Sequence, residues 1–207
     1  MSQGEYVFAG CTSAAVDSSA DDTLVNRLRA GDSAAFDQLY AEYHRLVYGL
    51  AYRFFGEREE AADVTQEVYL SIFRHVRGFS GASALRTWIY RITVNTCLNR
   101  NRWWTRRKQQ SMVPLKEASA DRGRPWPELR DPHASPEESA MRLEQGEQIQ
   151  RMLKQLPKQQ RIALILRDIE GLSYDEIAET MGISLGTVKS RIARGREQMR
   201  LGLAGII

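Results

Sequence analysis

Two cysteines in 207 residues, Cys11 and Cys97, stand far apart in unlike contexts, with no CxxC and no Cys/His cluster. The three histidines, His44, His75 and His133, are isolated. A structural zinc site and a disulfide framework are therefore not expected, and a reducing cytoplasm fits. No apolar run approaches the roughly 18 residues of a membrane span. The N-terminus has no basic segment leading into a long apolar core, so no secretory leader is expected. Runs of alternating β-branched residues, a Gly-rich phosphate loop on a strand, a nucleophile elbow, internal repeats and low-complexity tracts are all missing from the sequence. Paired carboxylates, Glu59-Glu60 and Glu137-Glu138, fall at helix starts, where acids favour the macrodipole. The expectation is a chain without metal, cofactor or catalytic site, and so not an enzyme.

Acid is also absent locally. From Val68 to Lys116 there is no Asp or Glu in 49 residues, against ten Lys or Arg. The net charge of +3 says little by itself. An acid-free basic block of that length points to a polyanion-facing surface, the alternative being a charge run that only solubilises one face.

What is present is helical period almost throughout. A short helix with Leu24, Val25 and Leu28 precedes Gly31-Asp32. A long one then carries Phe36, Leu39, Tyr40, Tyr43, Leu46, Val47, Leu50, Ala51 and Phe54 as one core-facing stripe, up to Gly56. The next, from about residue 57 to 76, turns Val64, Val68, Ile72 and Val76 inward and shows Asp63, Gln66, Glu67, Leu70 and Arg74 on its other side. A Gly/Ser loop leads into a third long helix near Leu85, with Leu85, Trp88, Ile89 and Ile92 inward and a polar row of Arg91, Asn95, Asn99 and Arg102. Residues 105–135, with Pro114, Pro125, Pro127 and Pro132, read as a flexible linker. Ser135-Pro136 with Glu138 restarts a helix to about Leu156, Pro157 breaks it, and Ile162, Ile165, Leu166 and Ile169 line the next. The division expected is a loose tail (1–20), a helical domain (21–104), the linker (105–135) and a second small helical domain (136–207): an all-α protein.

The stretch from Gly171 to Arg200 carries the clearest motif. Ser173 and Glu176 form a capping-box signature for a helix with Ile177, Ala178 and Met181 on one face. Gly182 turns the chain, Ile183 plugs the core beside it, and Ser184 caps a second helix. Val188, Ile192 and Met199 face inward there; Thr187, Lys189, Ser190, Arg191 and Arg194 face outward. This is the layout of a DNA-binding helix-turn-helix with a basic recognition helix, the alternative being an ordinary helical hairpin with a solvated basic face. Alone it says only that the chain binds DNA.

Two basic units on a linker suit two separated DNA sites, and here a resemblance becomes specific. Residues 61–100, with Asp63, Gln66, Glu67 and Phe73, then Thr87, Trp88, Arg91 and Asn95, resemble region 2 of bacterial RNA polymerase sigma factors. Residues 137–201, with Leu156-Pro157, Arg167 to Ala178 and Gly186 to Arg191, resemble region 4. With no room for further sigma domains, the chain resembles the small two-domain extracytoplasmic-function type. The resemblance implies a subunit that docks on core RNA polymerase and directs promoter-specific initiation. By match, Arg167, Gly186, Thr187, Lys189, Ser190, Arg191 and Arg194 would read the minus-thirty-five element. The loop Ser80, Gly81, Ala82 and Ser83, with Arg86, Arg91, Asn99, Arg100 and Arg102, would capture the melted minus-ten strand. Asn95 reads as structural. Asp63, Gln66, Glu67, Leu70 and Arg74 would dock on the polymerase clamp. Trp103 and Trp104 lie beyond the matching part. The loop centre, Gly81-Ala82-Ser83, lacks the acid or amide often found there. Partners implied are core RNA polymerase, promoter DNA and an anti-sigma factor that the sequence does not identify.

Two rival readings make different demands. A stand-alone helix-turn-helix regulator would act without polymerase, and the Asp63–Glu67 and Thr87–Asn95 motifs oppose it. A nucleic-acid-processing enzyme would need carboxylates inside the basic block, which has none.

Overall fold

The computed structural model describes the backbone of residues 18–110 and 136–204, and the side chains of 22–100 and 144–202. The tail through residue 17, the stretch 111–135, the Ser135 cap, and the side chains of Arg102, Trp103 and Trp104 lie outside those residues. All regular elements described are helical: α1 (Ser18–Arg29), α2 (Ser33–Phe55), α3 (Arg58–His75), a 3₁₀ turn (Val76–Gly78), α4 (Leu85–Gln110), α5 (Pro136–Gln155), α6 (Lys158–Leu164) running into a π-helical turn (Ile165–Ile169), α7 (Tyr174–Met181) and α8 (Leu185–Ala204).

The boundaries follow local chemistry. Gly31 takes φ 79° and frees the chain to re-enter a helix. Asp32 caps α2, its Oδ1 accepting from the Ala34 N–H at 2.9 Å, while Arg27 Nε holds Oδ2 at 2.8 Å. Gly56 ends α2 in the left-handed region at φ 71°. The capping box on α7 is complete, with Ser173 and Glu176 bonded reciprocally. Gly182 turns the chain at φ 63°, and Ser184 Oγ accepts from the Thr187 N–H at the start of α8. Helix α4 continues to Gln110, six residues past the point where the linker was expected to begin.

Leu39, Val47, Leu50, Phe54, Val64, Val68, Ile72, Ile89 and Val94 are fully buried between α2, α3 and α4. Ile162, Ile165, Leu166, Ile177, Val188 and Ile192 form the matching interior of the second half. Buried Thr65 and Thr93 satisfy their hydroxyls by donating to the Ala61 and Ile89 carbonyls. Tyr40 departs from the expected stripe: it is exposed, its ring stacked against His44 at 4.5 Å and tilted against Tyr69 at 4.8 Å. Its ring belongs to an aromatic seam on the surface of α2 and α3, not to the core.

The two halves do not stand apart. Their buried apolar residues merge into one continuous cluster. Helix α2 packs on α5 and α6, and α4 packs on α7. Arg161, buried at the start of α6, donates to the Phe54 carbonyl at 2.6 Å and to that of Leu156 at 3.1 Å, with its guanidinium over the Phe54 ring. It thereby satisfies carbonyls near the end of α2 from the other half of the chain. Gln150 donates to the Tyr52 and Arg53 carbonyls nearby. A Cβ on Gly56 would lie 2.1 Å from Lys154 Cε, so that glycine is needed both for its backbone angle and for the close approach of α5.

Candidate polymerase and promoter interfaces

Three surfaces carry the residues singled out by the sequence. The first is one side of α3. Asp63, Gln66, Glu67, Leu70 and Arg74 recur at helical spacing and are all exposed. Leu70 is 53% and Phe73 63% exposed, unusually high for large apolar side chains beside charged ones. Phe73 leans on Phe36 of α2, with ring centroids 5.1 Å apart. Acidic groups and an apolar ridge therefore share one accessible face, which suits a protein partner with basic and apolar contacts.

The second surface surrounds the loop before α4. Phe79 is held under it, its ring 4.9 Å from Trp88 and its carbonyl accepting from Arg29. Trp88 is half-buried as a support for the loop. Gly81 adopts φ 77°, and the Ala82 N–H reaches Ser80 Oγ at 3.3 Å. Gly78, Phe79, Ser80, Ala82, Ser83, Trp88 and Arg91 line a cavity of about 180 Å³, and Glu179 from α7 completes its wall. Arg91 donates to Glu179 at 2.7 Å. Asn95 is exposed and, like Asn99, has no hydrogen-bond partner among the described residues. Together with Arg91 and Glu179, Asn95 lines an adjoining cleft of about 380 Å³ that separates α4 from α7.

Not every basic residue read from this region is free to meet a phosphate. Arg86 donates to the Tyr90 hydroxyl at 3.3 Å and lies over the same ring. Tyr90 in turn donates to Glu170 Oε2 at 2.9 Å, and Arg53 donates to Glu170 Oε1 at 3.0 Å. Burial and the neighbouring Glu170 carboxylate push the Tyr90 phenol well above its usual range, keeping it a donor. Arg100 is enclosed by acids: Nε meets Glu60 at 2.9 Å, Nη2 meets Asp63 at 2.7 Å, and Nη1 meets Glu67.

The third surface is α8. At 100° per residue, Ser190 and Arg194 stand opposite buried Val188 and Ile192, with Thr187 beside them and Lys189 and Arg191 on the flanks. Lys189 and Arg194 are exposed and form no ion pair among the described residues. Ser190 donates to the Thr187 carbonyl at 3.0 Å, leaving its hydroxyl lone pairs outward. Gly186 lies in the first turn with nothing within 4 Å of a hypothetical Cβ. Arg196 and Arg200 are instead engaged by Asp168 and Glu197. Arg167 supports the turn, donating to the Leu172 carbonyl at 2.8 Å with its guanidinium 4.9 Å from the Tyr174 ring centre.

Sequence reasoning missed the pairs that lock the halves together, Arg53–Glu170, Tyr90–Glu170 and Arg91–Glu179. Among the described residues no group of His, Cys, Asp or Glu could hold a metal ion, and no helix is long and apolar enough to cross a membrane.

Comparison with known proteins identifies the family. Residues 39–109 match the family pattern "Sigma-70 region 2" and residues 146–199 match "Sigma-70, region 4". The RNA polymerase sigma-H factor of Pseudomonas aeruginosa is 39% identical over 187 residues, covering 90% of this chain and 95% of its own length. The ECF RNA polymerase sigma-E factor of Escherichia coli is 38% identical over 179 residues, covering 86% and 91%. The solved structure of CnrH in complex with the cytosolic domain of CnrY shares the fold, with a TM-score of 0.64 at 22% identity over 91% of this chain and 99% of that one. The sigma factor RpoE of Bartonella quintana, solved with the anti-sigma factor NepR, matches at a TM-score of 0.59 and 22% identity over 82% of this chain and 96% of that one. The chain belongs to the sigma-70 family of RNA polymerase sigma factors, among the extracytoplasmic-function members.

Proposed function

We propose that this sigma factor divides its work among the three surfaces. The α3 face docks on core RNA polymerase, the loop and outer side of α4 take the melted minus-ten strand, and α8 reads the minus-thirty-five element. The observation that carries the reading is the α3 face, where exposed Leu70 and Phe73 sit beside Asp63, Gln66 and Glu67. A free-standing regulator has no use for such a face. Exposed Lys189 and Arg194, in no ion pair among the described residues, supply guanine-edge or phosphate contacts. Asn99, and Asn95 with it, offer exposed amides on α4 that make no hydrogen bond among the described residues. The chain does no chemistry of its own; it positions the polymerase and works in the cytoplasm. An anti-sigma partner is proposed on the likeness to RpoE, which was solved with one.

The packed arrangement is a resting form. The two promoter elements lie about 25 base pairs apart, or about 85 Å at about 3.4 Å per pair. A compact chain of 207 residues has a radius of gyration of only about 17 Å. The α4 and α8 surfaces reach both elements only after α7 leaves α4, which also releases Arg91 from Glu179. The 25 residues from Ser111 to Ser135 allow a separation of up to about 85 Å.

Run-off transcription with core polymerase, with and without this chain, tests the proposal. Initiation at a defined promoter should depend on the chain; chain-independent initiation would refute it.

A further inference from the structure

Arg100 stands in the acid-free block, where a cation invites assignment to DNA, yet its surroundings are the reverse of a phosphate site. Its side chain is 16% exposed, and its guanidinium faces Glu60, Asp63 and Glu67. Those acids fall three and four residues apart on one face of α3, where like charges repel one another. A planar guanidinium with five N–H groups can satisfy three carboxylates at once, and here it does. The outer two, Asp63 and Glu67, remain 59% and 47% exposed. Each gives Arg100 one oxygen, and the other takes no hydrogen bond among the described residues. Three acids against one arginine leave two net negative charges in this cluster. An approaching phosphate would meet them first.

We infer that Arg100 is a positioning residue for polymerase docking: it fixes Asp63 and Glu67 in the rotamers that a basic partner surface receives, and it is not a DNA contact. The inference rests on the reading that the α3 face docks on polymerase. Arg100 belongs to α4 and the acids to α3, so the contact also sets how the docking helix lies against the helix that receives the minus-ten strand.

The test uses the full chain carrying Arg100→Ala, Arg100→Lys, Glu67→Gln, or Arg100→Ala with Glu67→Gln. Affinity is measured for core polymerase and for a single-stranded minus-ten oligonucleotide. Arg100→Ala should weaken polymerase binding on the order of 10-fold, within the range for coupled neighbours, with oligonucleotide binding unchanged. Run-off transcription should need more of the variant for half-maximal output but reach the same plateau. Arg100→Lys, a point charge without the fork, should recover part of the loss. In the Glu67→Gln background the effect of Arg100→Ala should shrink, which a general loss of folding would not produce. Weakened oligonucleotide binding with intact polymerase binding would overturn the inference, as would full additivity with Glu67→Gln. If Glu67→Gln weakens polymerase binding and Arg100→Ala does not, the inference alone fails. If neither changes it, the docking reading fails as well.

Discussion

Glu170→Gln should loosen the packing between the two halves. Glu170 accepts from Arg53 at 3.0 Å and from the Tyr90 hydroxyl at 2.9 Å, its side chain only 11% exposed. Hydrogen bonds to a charged group contribute about 1.5–3 kcal/mol each. Glutamine keeps the size, so no cavity opens, but it carries no charge and its single amide oxygen can accept from only one of the two donors. With Arg53 29% exposed, some of that gain is already screened by solvent. A net loss of about 2 kcal/mol remains, which moves the open–closed balance roughly 30-fold. When the competent form is the minor one, apparent affinity scales with its population. Fluorescence anisotropy should therefore show the minus-ten oligonucleotide binding the variant more tightly, by up to about 30-fold. Dyes placed on exposed positions of α3 and α8 should report a longer mean separation. Unchanged affinity together with unchanged separation would refute the claim that this interface restrains DNA binding.

Three further outcomes are expected. Lys189→Ala should weaken binding to duplex carrying the minus-thirty-five element with little change in core polymerase binding, and Glu67→Arg should do the reverse; equal effects in both assays would contradict the division of labour. Ser173→Ala removes one arm of the capping box and should cost about 1 kcal/mol, read as a lower midpoint in urea unfolding. Burial holds the His44 imidazole below its ordinary 6.5. The folded state then favours the neutral ring, so the stability it contributes is complete above 6.5 and is lost as pH falls below it. The drop in melting temperature between pH 7.5 and 5.5 should be smaller in His44→Gln than in the parent.

Features with local causes were legible in the sequence. Capping at Ser173, the left-handed turn at Gly182 and the inward pair Val188 and Ile192 follow from neighbours within four residues, and all stand as expected. The outer face of α3 was equally visible because its period is regular. Interactions across the chain were not. Arg53 and Glu170 are 117 positions apart, and Arg91 and Glu179 are 88 apart. Single charges on otherwise ordinary helices give no periodic signal of such pairing. Arg100 shows the same limit: its own stretch holds no acid, and its three partners come from the preceding helix. Tyr40 fitted the apolar period of α2, but the stripe was read too wide, and its ring lies at the edge against His44 and Tyr69.

The π-helical turn Ile165–Ile169 sets a length requirement on the chain. Its wider hydrogen bond, Glu170 N–H to the Ile165 carbonyl at 3.0 Å, accommodates a residue that a plain α-helix would not place there. Removing one residue there would give a more regular helix but rotate everything beyond it by about 100°. Glu170 would then point away from Arg53 and Tyr90, and the reading helix would swing with it. A deletion of one residue in this short segment should therefore be far less tolerated than deletions in the stretch between the two halves.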